Sequence, residues 1–396
     1  MALSETRVLK FPGVRSLRRP GPPEFDLRFA VEGPEDGHRV LVFPGGPGLA
    51  SILPYHRLRK RFAAAGYRIA MIEHRGVGAS RRCVEGSDLP LSALTVDAVI
   101  DDALAVLDEL GWDEVLVYGT SYGGWLAQRL AIAAPQRVQG VVLDSTFSSA
   151  DDHEERRRAV RALVTGDGPL TAEVDELVRS GRVSERQIVN VVAPVYEFGG
   201  VELARKMLQA RLTGQQWAWN FVARLADNEI GKTQPYLLEY DLVGVIMHRE
   251  VDSSQPDGQP FDPIELFAPM AEKFGPYPGE PQNLRPALAV LDCPVGVVHG
   301  ARDMRSPRVV AERLAYSCPN VTLVVFTDTG HSLLDSRPRA AVEITDAVRQ
   351  RELSSVAERT AELERRSRFS LRLVMPRLIS SLLTVEGVLH RVRIRR

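Results

Sequence analysis

A serine flanked at two positions by glycines is where chemistry could begin in this chain. Residues 117–124 read VYGTSYGG, so Ser121 follows an apolar run ending at Gly119 and precedes the helix-forming stretch YGGWLAQRLAIAAP. A strand that turns into a helix within one residue leaves no room for side chains two positions either side, which is what Gly119 and Gly123 would provide. Such a turn puts the serine in unfavourable backbone angles and lifts its hydroxyl above the strand ends. The hydroxyl is a weak nucleophile until a base takes its proton, so a histidine and an orienting acid should lie downstream. VGVVHGARDMRSP offers Asp303 just past an apolar run, and VVFTDTGHSLL offers His331 in the loop after the next one. Asp144 also closes a strand candidate, but the Gly-containing turn at Asp303 suits the acid better. Asp328 is too near the histidine's own loop to orient it, and His299 reads as packed. An oxyanion needs preset N–H donors. The backbone of Tyr122 supplies one, and Gly46, with Gly45 adjacent in VFPGGPG (42–48), supplies the other.

These residues need strands to carry them. HRVLVF (38–43), YRIAMIE (67–73), EVLVYG (114–119) and RVQGVVLD (137–144) are the early strand candidates, and PVGVVHG (294–300) and VTLVVF (321–326) the late ones. Between the second and third, Val96, Val99, Ile100, Ala103, Val106, Leu107 and Leu110 recur at helical spacing, with Gly111 as a stop. Alternating strands and helices predict an α/β class with a mostly parallel sheet covered on both faces. Ser121, Asp303 and His331 then fall on loops at the carboxyl ends of strands, in the chain order known for a nucleophile on such a turn. After Asp144 the pattern changes for about 140 residues to charged helical segments with Pro-rich breaks, the pattern of an inserted cap.

Composition narrows the rest. With 396 residues, 44% hydrophobic and 26% charged, the chain can bury a large core. Lys and Arg number 50 against 51 Asp and Glu, so no overall field favours nucleic acid. The absence of a leader-like N-terminus or a long apolar run sets the cytoplasm as the expected compartment. Cys83, Cys293 and Cys318 are not in metal-ligand spacing and read as reduced thiols, so no metal is expected. Near the end, RQRELSSVAERTAELERRSRF reads as a solvated charged helix. LRLVMPRLISSLLTVEGVLHRVRIRR then puts Leu371, Val374, Met375, Leu378 and Leu382 on one face, to dock on the body or on a second copy in a homo-oligomer. The alternative is weak contact with an anionic membrane.

FPGGPG, EHRGVGAS (73–80), GTSYGGWLA (119–127), HGARD (299–303) and TGHS (329–332) resemble the landmarks of α/β-hydrolase-fold serine peptidases of the proline iminopeptidase and tripeptidyl aminopeptidase group. The resemblance covers roughly residues 25–145 and 285–350. It implies an α/β-hydrolase catalytic domain over 1–145 and 286–350, a helical cap over 146–285 inserted after the sixth strand, and a helical extension over 351–396. It also implies cleavage of N-terminal residues from short peptides or aminoacyl amides without a cofactor. Arg75 to Ser80 would be a structural turn beside the site. Two departures stand out: Pro44 precedes the GGPG where histidine is usual, and Tyr122 replaces the tryptophan typical of proline iminopeptidases. An exopeptidase must hold an ammonium, so Glu229, Glu239 and Trp219 are the cap residues expected to bind substrate. An ester, lactone or non-peptide amide is the alternative substrate, since the cap sets specificity.

Overall fold

The computed structural model of the chain describes residues 4–231, 233–251, 255–275, 282–366 and 371–394. Among the described residues the strands are β1 (Val14–Arg19), β2 (Phe25–Glu32), β3 (His38–Phe43), β4 (Tyr67–Ile72), β5 (Val115–Thr120), β6 (Val138–Asp144), β7 (Val295–Gly300) and β8 (Val321–Phe326). They form one sheet in the order β1-β2-β4-β3-β5-β6-β7-β8. The first two pair antiparallel, with β2 also antiparallel to β4, and all other pairs are parallel. The six strands expected from the sequence lie where the apolar runs put them. The two N-terminal strands carry a weaker signal because β1 reads VRSLRR, an arginine-rich edge strand only partly covered, and charge is how exposed edges avoid pairing with other chains.

Period-two alternation divides the sheet's side chains between two cores. Val115 and Val117 point into a core with the helices Val96–Glu109 and Tyr122–Ala133, where Ile100, Val106, Trp125 and Leu130 are buried. Leu116 and Tyr118 point the other way, against Phe62, Ile344 and Val348 of the helices His56–Ala64 and Pro338–Gln350. The helix over Val96–Glu109 starts where Thr95 accepts the Ala98 N–H at 3.2 Å.

Between β6 and β7 the helices Asp152–Val164, Thr171–Arg179, Glu185–Leu212 and Trp217–Gly231 enclose a third core around Val160, Leu177, Ile188, Val192, Leu208 and Trp219. The long member, hereafter the roof helix, bends at Gly200, where φ is 69°. The later part of the insertion packs differently. Val243, Ile246 and Phe274 join the core beneath the sheet, while Phe261 packs in the cap core.

The region after Gln350 departs from the expected solvated helix. Arg351, at φ 61°, ends the Pro338–Gln350 helix. Two short helices follow, Leu353–Ala357 and Thr360–Arg366, whose Leu353, Val356 and Leu363 are buried in the core beside β8. The terminal helix, Leu371–Ile394, lies on the cap through Met375 and Ile379, with Leu382 and Leu383 partly buried. The expected face was therefore off by about one residue step: Val374 and Leu378 are exposed, and the Leu371 side chain lies outside the described residues.

Candidate active site

Ser121 stands between β5 and the helix Tyr122–Ala133 at φ 53° and ψ −124°, a strained conformation for a residue with a side chain. What fixes it is contact on both sides. A Cβ on Gly123 would strike the carbonyl oxygens of Phe43 and Pro44, and one on Gly119 would strike Gly123 itself. Only glycines let the helix start so close to the sheet. The Ser121 N–H donates to Asp144 O at 2.9 Å, and the Thr146 hydroxyl donates to Ser121 O at 2.7 Å.

Asp303 and His331 meet at the ends of β7 and β8. The His331 Nδ1 lies 3.0 Å from both Asp303 carboxylate oxygens, and both residues are buried. Asp303 Oδ1 also accepts the N–H groups of Arg305 and Ser306 at 2.9 Å each. Burial pushes the Asp303 carboxyl up, but the charge and hydrogen bond of His331 outweigh it and hold the group below its ordinary value. The histidine's loop is tied to the serine's. Thr120 Oγ1 donates to Ser332 Oγ at 3.1 Å, and the Ser332 N–H donates to Ser145 Oγ at 3.0 Å. Asp144, the rival acid, serves the same loop from below, accepting the N–H groups of Leu333 at 3.0 Å and Leu334 at 2.8 Å.

The glycine-rich loop after β3 closes the arrangement. Gly45 faces the serine, since a Cβ there would lie 3.5 Å from Ser121 Cβ. Gly46 has φ 138°, where a side chain would be strained and would press on the Gly48 and Leu49 nitrogens. The Tyr122 N–H belongs to the first turn of its helix, where amides have no internal acceptor and the helix dipole favours negative charge. The Tyr122 side chain is buried, and its hydroxyl lies 3.2 Å from His74 Nε2. Because His74 Nδ1 faces the Arg75 carbonyl at 2.6 Å, that nitrogen carries the proton and Nε2 accepts from Tyr122. Burial lowers the pKa of His74 to about 4, so it is neutral.

A model of the α/β hydrolase fold matches residues 38–338. The chain belongs to the α/β-hydrolase fold family. Among curated relatives, the proline iminopeptidase PfmaB of Pestalotiopsis fici is 29% identical over 141 residues, 35% of this chain and 45% of that protein. The 2-hydroxy-6-oxononadienedioate/2-hydroxy-6-oxononatrienedioate hydrolase of Cupriavidus pinatubonensis is 31% identical over 143 residues, 36% of this chain and 46% of that one. The match thus spans less than half the length of these relatives. Of solved structures, VinJ superposes with a TM-score of 0.54 at 16% identity, covering 85% of this chain and 98% of VinJ. Rv0554 from Mycobacterium tuberculosis gives 0.51 at 21%, covering 85% and 97%. At such identities the likeness speaks for the fold alone.

In this α/β hydrolase Trp219 and Glu239, two of the residues expected to bind substrate, are engaged in packing and hydrogen bonds of their own. Trp219 is buried in the cap core, with Arg211 over its ring at 6.0 Å. Glu239 is buried with both oxygens engaged: Oε1 accepts Tyr236 N–H at 2.7 Å, and Oε2 accepts Gly78 N–H at 3.0 Å and Arg81 at 3.3 Å. It clamps the inserted segment to the RGVGAS turn. That turn is itself held by Arg75, which donates twice to buried Asp102 at 2.7 Å. The Glu229 side chain lies outside the described residues.

Several residues that the sequence did not single out complete the site. Glu197, at the bend of the roof helix, is buried and lines a small pocket of about 20 Å³ together with His331, Gly330 and Phe198. Its Oε1 accepts the Met304 N–H at 3.2 Å, and its Oε2 is 3.8 Å from Arg305 Nε. Glu73 Oε2 accepts the N–H groups of Ser51 at 2.6 Å and Ile52 at 3.1 Å, and Arg59 donates to the carbonyls of the same two residues at 2.8 Å. Glu364 accepts the Asp328 N–H at 2.7 Å and the Thr329 hydroxyl at 2.9 Å. Glu73 adjoins the RGxGxS motif, which is the one available signal; a buried acid elsewhere looks like any surface acid in sequence. A larger hollow lined by Glu114, Val138, Cys293 and Arg351 lies at the opposite ends of the strands, away from Ser121.

Proposed function

We propose that this chain is a serine hydrolase that cleaves N-terminal residues from short peptides or aminoacyl amides. The observation that carries the reading is the buried His331–Asp303 pair on loops tied to a strained Ser121. His331, oriented through Nδ1, takes the Ser121 proton as the hydroxyl attacks the carbonyl carbon. The amides of Tyr122 and Gly46 receive the oxyanion, and protonated His331 returns its proton to the departing amine. Water then attacks the acyl-enzyme by the same route, regenerating Ser121.

Support for a free-amine substrate comes from Glu197, a buried carboxylate lining the same pocket as His331, and from proline iminopeptidases among the relatives. A second reading keeps the three residues but exchanges the peptide for another acyl compound, favoured by the relative that hydrolyses a 2-hydroxy-6-oxo dienedioate. Aminoacyl and peptidyl chromogenic amides, N-blocked and unblocked, assayed beside simple esters, decide between them. The exopeptidase reading expects turnover of unblocked amides alone. Glu197→Gln should then raise KM for them by about 10- to 100-fold, the value of a charge-assisted hydrogen bond, while leaving esters nearly unchanged. Equal rates on blocked and unblocked substrates would end that reading and favour the second.

A further inference from the structure

The terminal helix Leu371–Ile394 uses one side to dock on the cap and leaves another side uncovered. Val374, Leu378, Val385, Val388 and Leu389 are each 39% to 52% exposed. At 3.6 residues per turn these five positions fall within an arc of about 100°. Trp217, 49% exposed, stands at the flank of the same helix, its backbone N–H donating to Glu386 at 2.7 Å. Elsewhere among the described residues, large exposed apolar side chains do not gather on one helix face in this way.

Charge follows the same division. Residues 371–396 contain six arginines and one acid, Glu386, for a net +5 within a chain of net −1. The single acid is turned inward: its two oxygens accept the N–H groups of Gln216 and Trp217 at 2.8 and 2.7 Å, at the start of a cap helix. Arg377 is exposed beside the apolar arc. An apolar strip with Arg377 at its border, in an arginine-rich stretch of sequence, and an aromatic residue nearby is the chemistry that an anionic lipid surface accepts. Among the described residues, no helix is long and apolar enough to cross a membrane, so the fitting geometry is one that lies in the surface plane.

We infer that this helix docks the protein on anionic membrane surfaces, with the apolar arc entering the headgroup boundary and Arg377 facing lipid phosphates. A second copy is the poorer occupant. Two such helices would bring arginine-rich segments together, and like charges in contact oppose association. The six apolar side chains expose on the order of 400 Å², roughly half of what each partner buries in a stable complex.

The test is sedimentation of the full chain with sucrose-loaded vesicles, comparing phosphatidylcholine alone with a mixture containing about 30% phosphatidylserine, at low and high salt. The wild type is expected to pellet with the anionic vesicles at low salt and to be released as salt rises. Leu378→Asp combined with Val385→Asp should lower the partition coefficient by about tenfold or more, and Arg377→Glu should lower it severalfold. All three positions are exposed and none is among the residues proposed to react or to bind substrate, so esterase or peptidase activity in solution reports that the variants remain folded. If the double variant fails to fold, Arg377→Glu and the salt dependence carry the test. Failure of the wild type to pellet, or equal pelleting of folded variants, would overturn the inference. So would a wild-type dimer in solution that the double variant converts to a monomer without any lipid binding, since the occupant would then be a second copy.

Discussion

Glu73 makes the most demanding prediction, because it touches none of the proposed reacting groups. Its carboxylate accepts the N–H groups of Ser51 and Ile52 and the Ser51 hydroxyl, and reaches Ala79 N–H at a long 3.4 Å. Those bonds close the loop that begins at Pro44 and carries Gly45 and Gly46. Replacing Glu73 with alanine strands two buried main-chain donors, each worth about 1–3 kcal/mol when left without an acceptor. Part of that is returned, because the variant no longer buries a carboxyl that desolvation pushes above its ordinary pKa. A net loss of roughly 3 kcal/mol lowers Tm by about 4 °C in a protein of this size. The loop would also lose its fixed shape. One oxyanion donor is worth about 100- to 1000-fold, so even partial displacement of Gly46 should cut kcat by about tenfold or more. Glu73→Gln keeps one acceptor oxygen and should fall between the two. Calorimetry gives Tm, while kcat and the rate of fluorophosphonate labelling of Ser121 report the loop. A folded Glu73→Ala protein within about 2 °C and twofold of wild type would refute the idea that this carboxylate shapes the loop.

Other expectations follow from the same geometry. Ser121→Ala should abolish fluorophosphonate labelling, and Ser121→Gly should be equally inactive yet more stable than Ser121→Ala by about 1 kcal/mol, because glycine tolerates φ 53°. Full labelling of either variant would show that another residue is the nucleophile. Asp303→Asn should reduce kcat by roughly 10,000-fold, since the amide no longer holds the His331 tautomer. Because the Asp303 carboxyl is held below its ordinary value, it adds stability above the unfolded pKa that disappears as pH falls through the folded one. Acid unfolding of the Asn variant, followed by circular dichroism, should lack that increment. Glu364→Ala should lower kcat by about tenfold with KM little changed, through loosening of the segment before His331. An unaltered kcat would show that β8 and Arg337 hold the loop without it.

The proposed reacting positions were legible because each imposes a local rule. The glycines around Ser121 answer a steric demand that their types disclose, and Asp303 and His331 follow apolar runs that the sheet's pattern makes obvious. The groups that hold these loops follow no such rule. Glu73, Glu197 and Glu364 meet their partners across 22, 107 and 36 positions of sequence, and nothing local separates a buried acid from a surface one. The same limit explains Glu239 and Trp219. Both are in the inserted segment as expected, but whether a side chain faces the serine or a backbone turn is decided by packing alone. The terminal helix was readable as amphipathic, yet which apolar face is covered depends on how the cap helices receive Met375 and Ile379.

Carboxylates do this holding for a physical reason. A loop at a strand end presents several N–H groups at once, and a carboxylate can accept from all of them while bringing no donor that would itself need a partner. Glu73 serves the loop that carries Gly45 and Gly46, Asp144 the segment after His331, Glu364 the segment before it, and Asp303 its own turn. Burial makes the arrangement sensitive to pH in two directions. Desolvation raises the pKa of Glu73 and Asp144 above the ordinary carboxylate value, so their contribution is fully present below the unfolded pKa and is lost as pH rises through the folded one. Asp303, depressed by its pairing with His331, contributes in the opposite sense and weakens as pH falls. The loops around Ser121 are therefore pulled by opposing titrations, and removing either class should shift the pH of greatest stability. Glu73→Gln should move it upward and Asp303→Asn downward. A shift in the same direction for both would mean that the hydrogen bonds, rather than burial, dominate at Glu73.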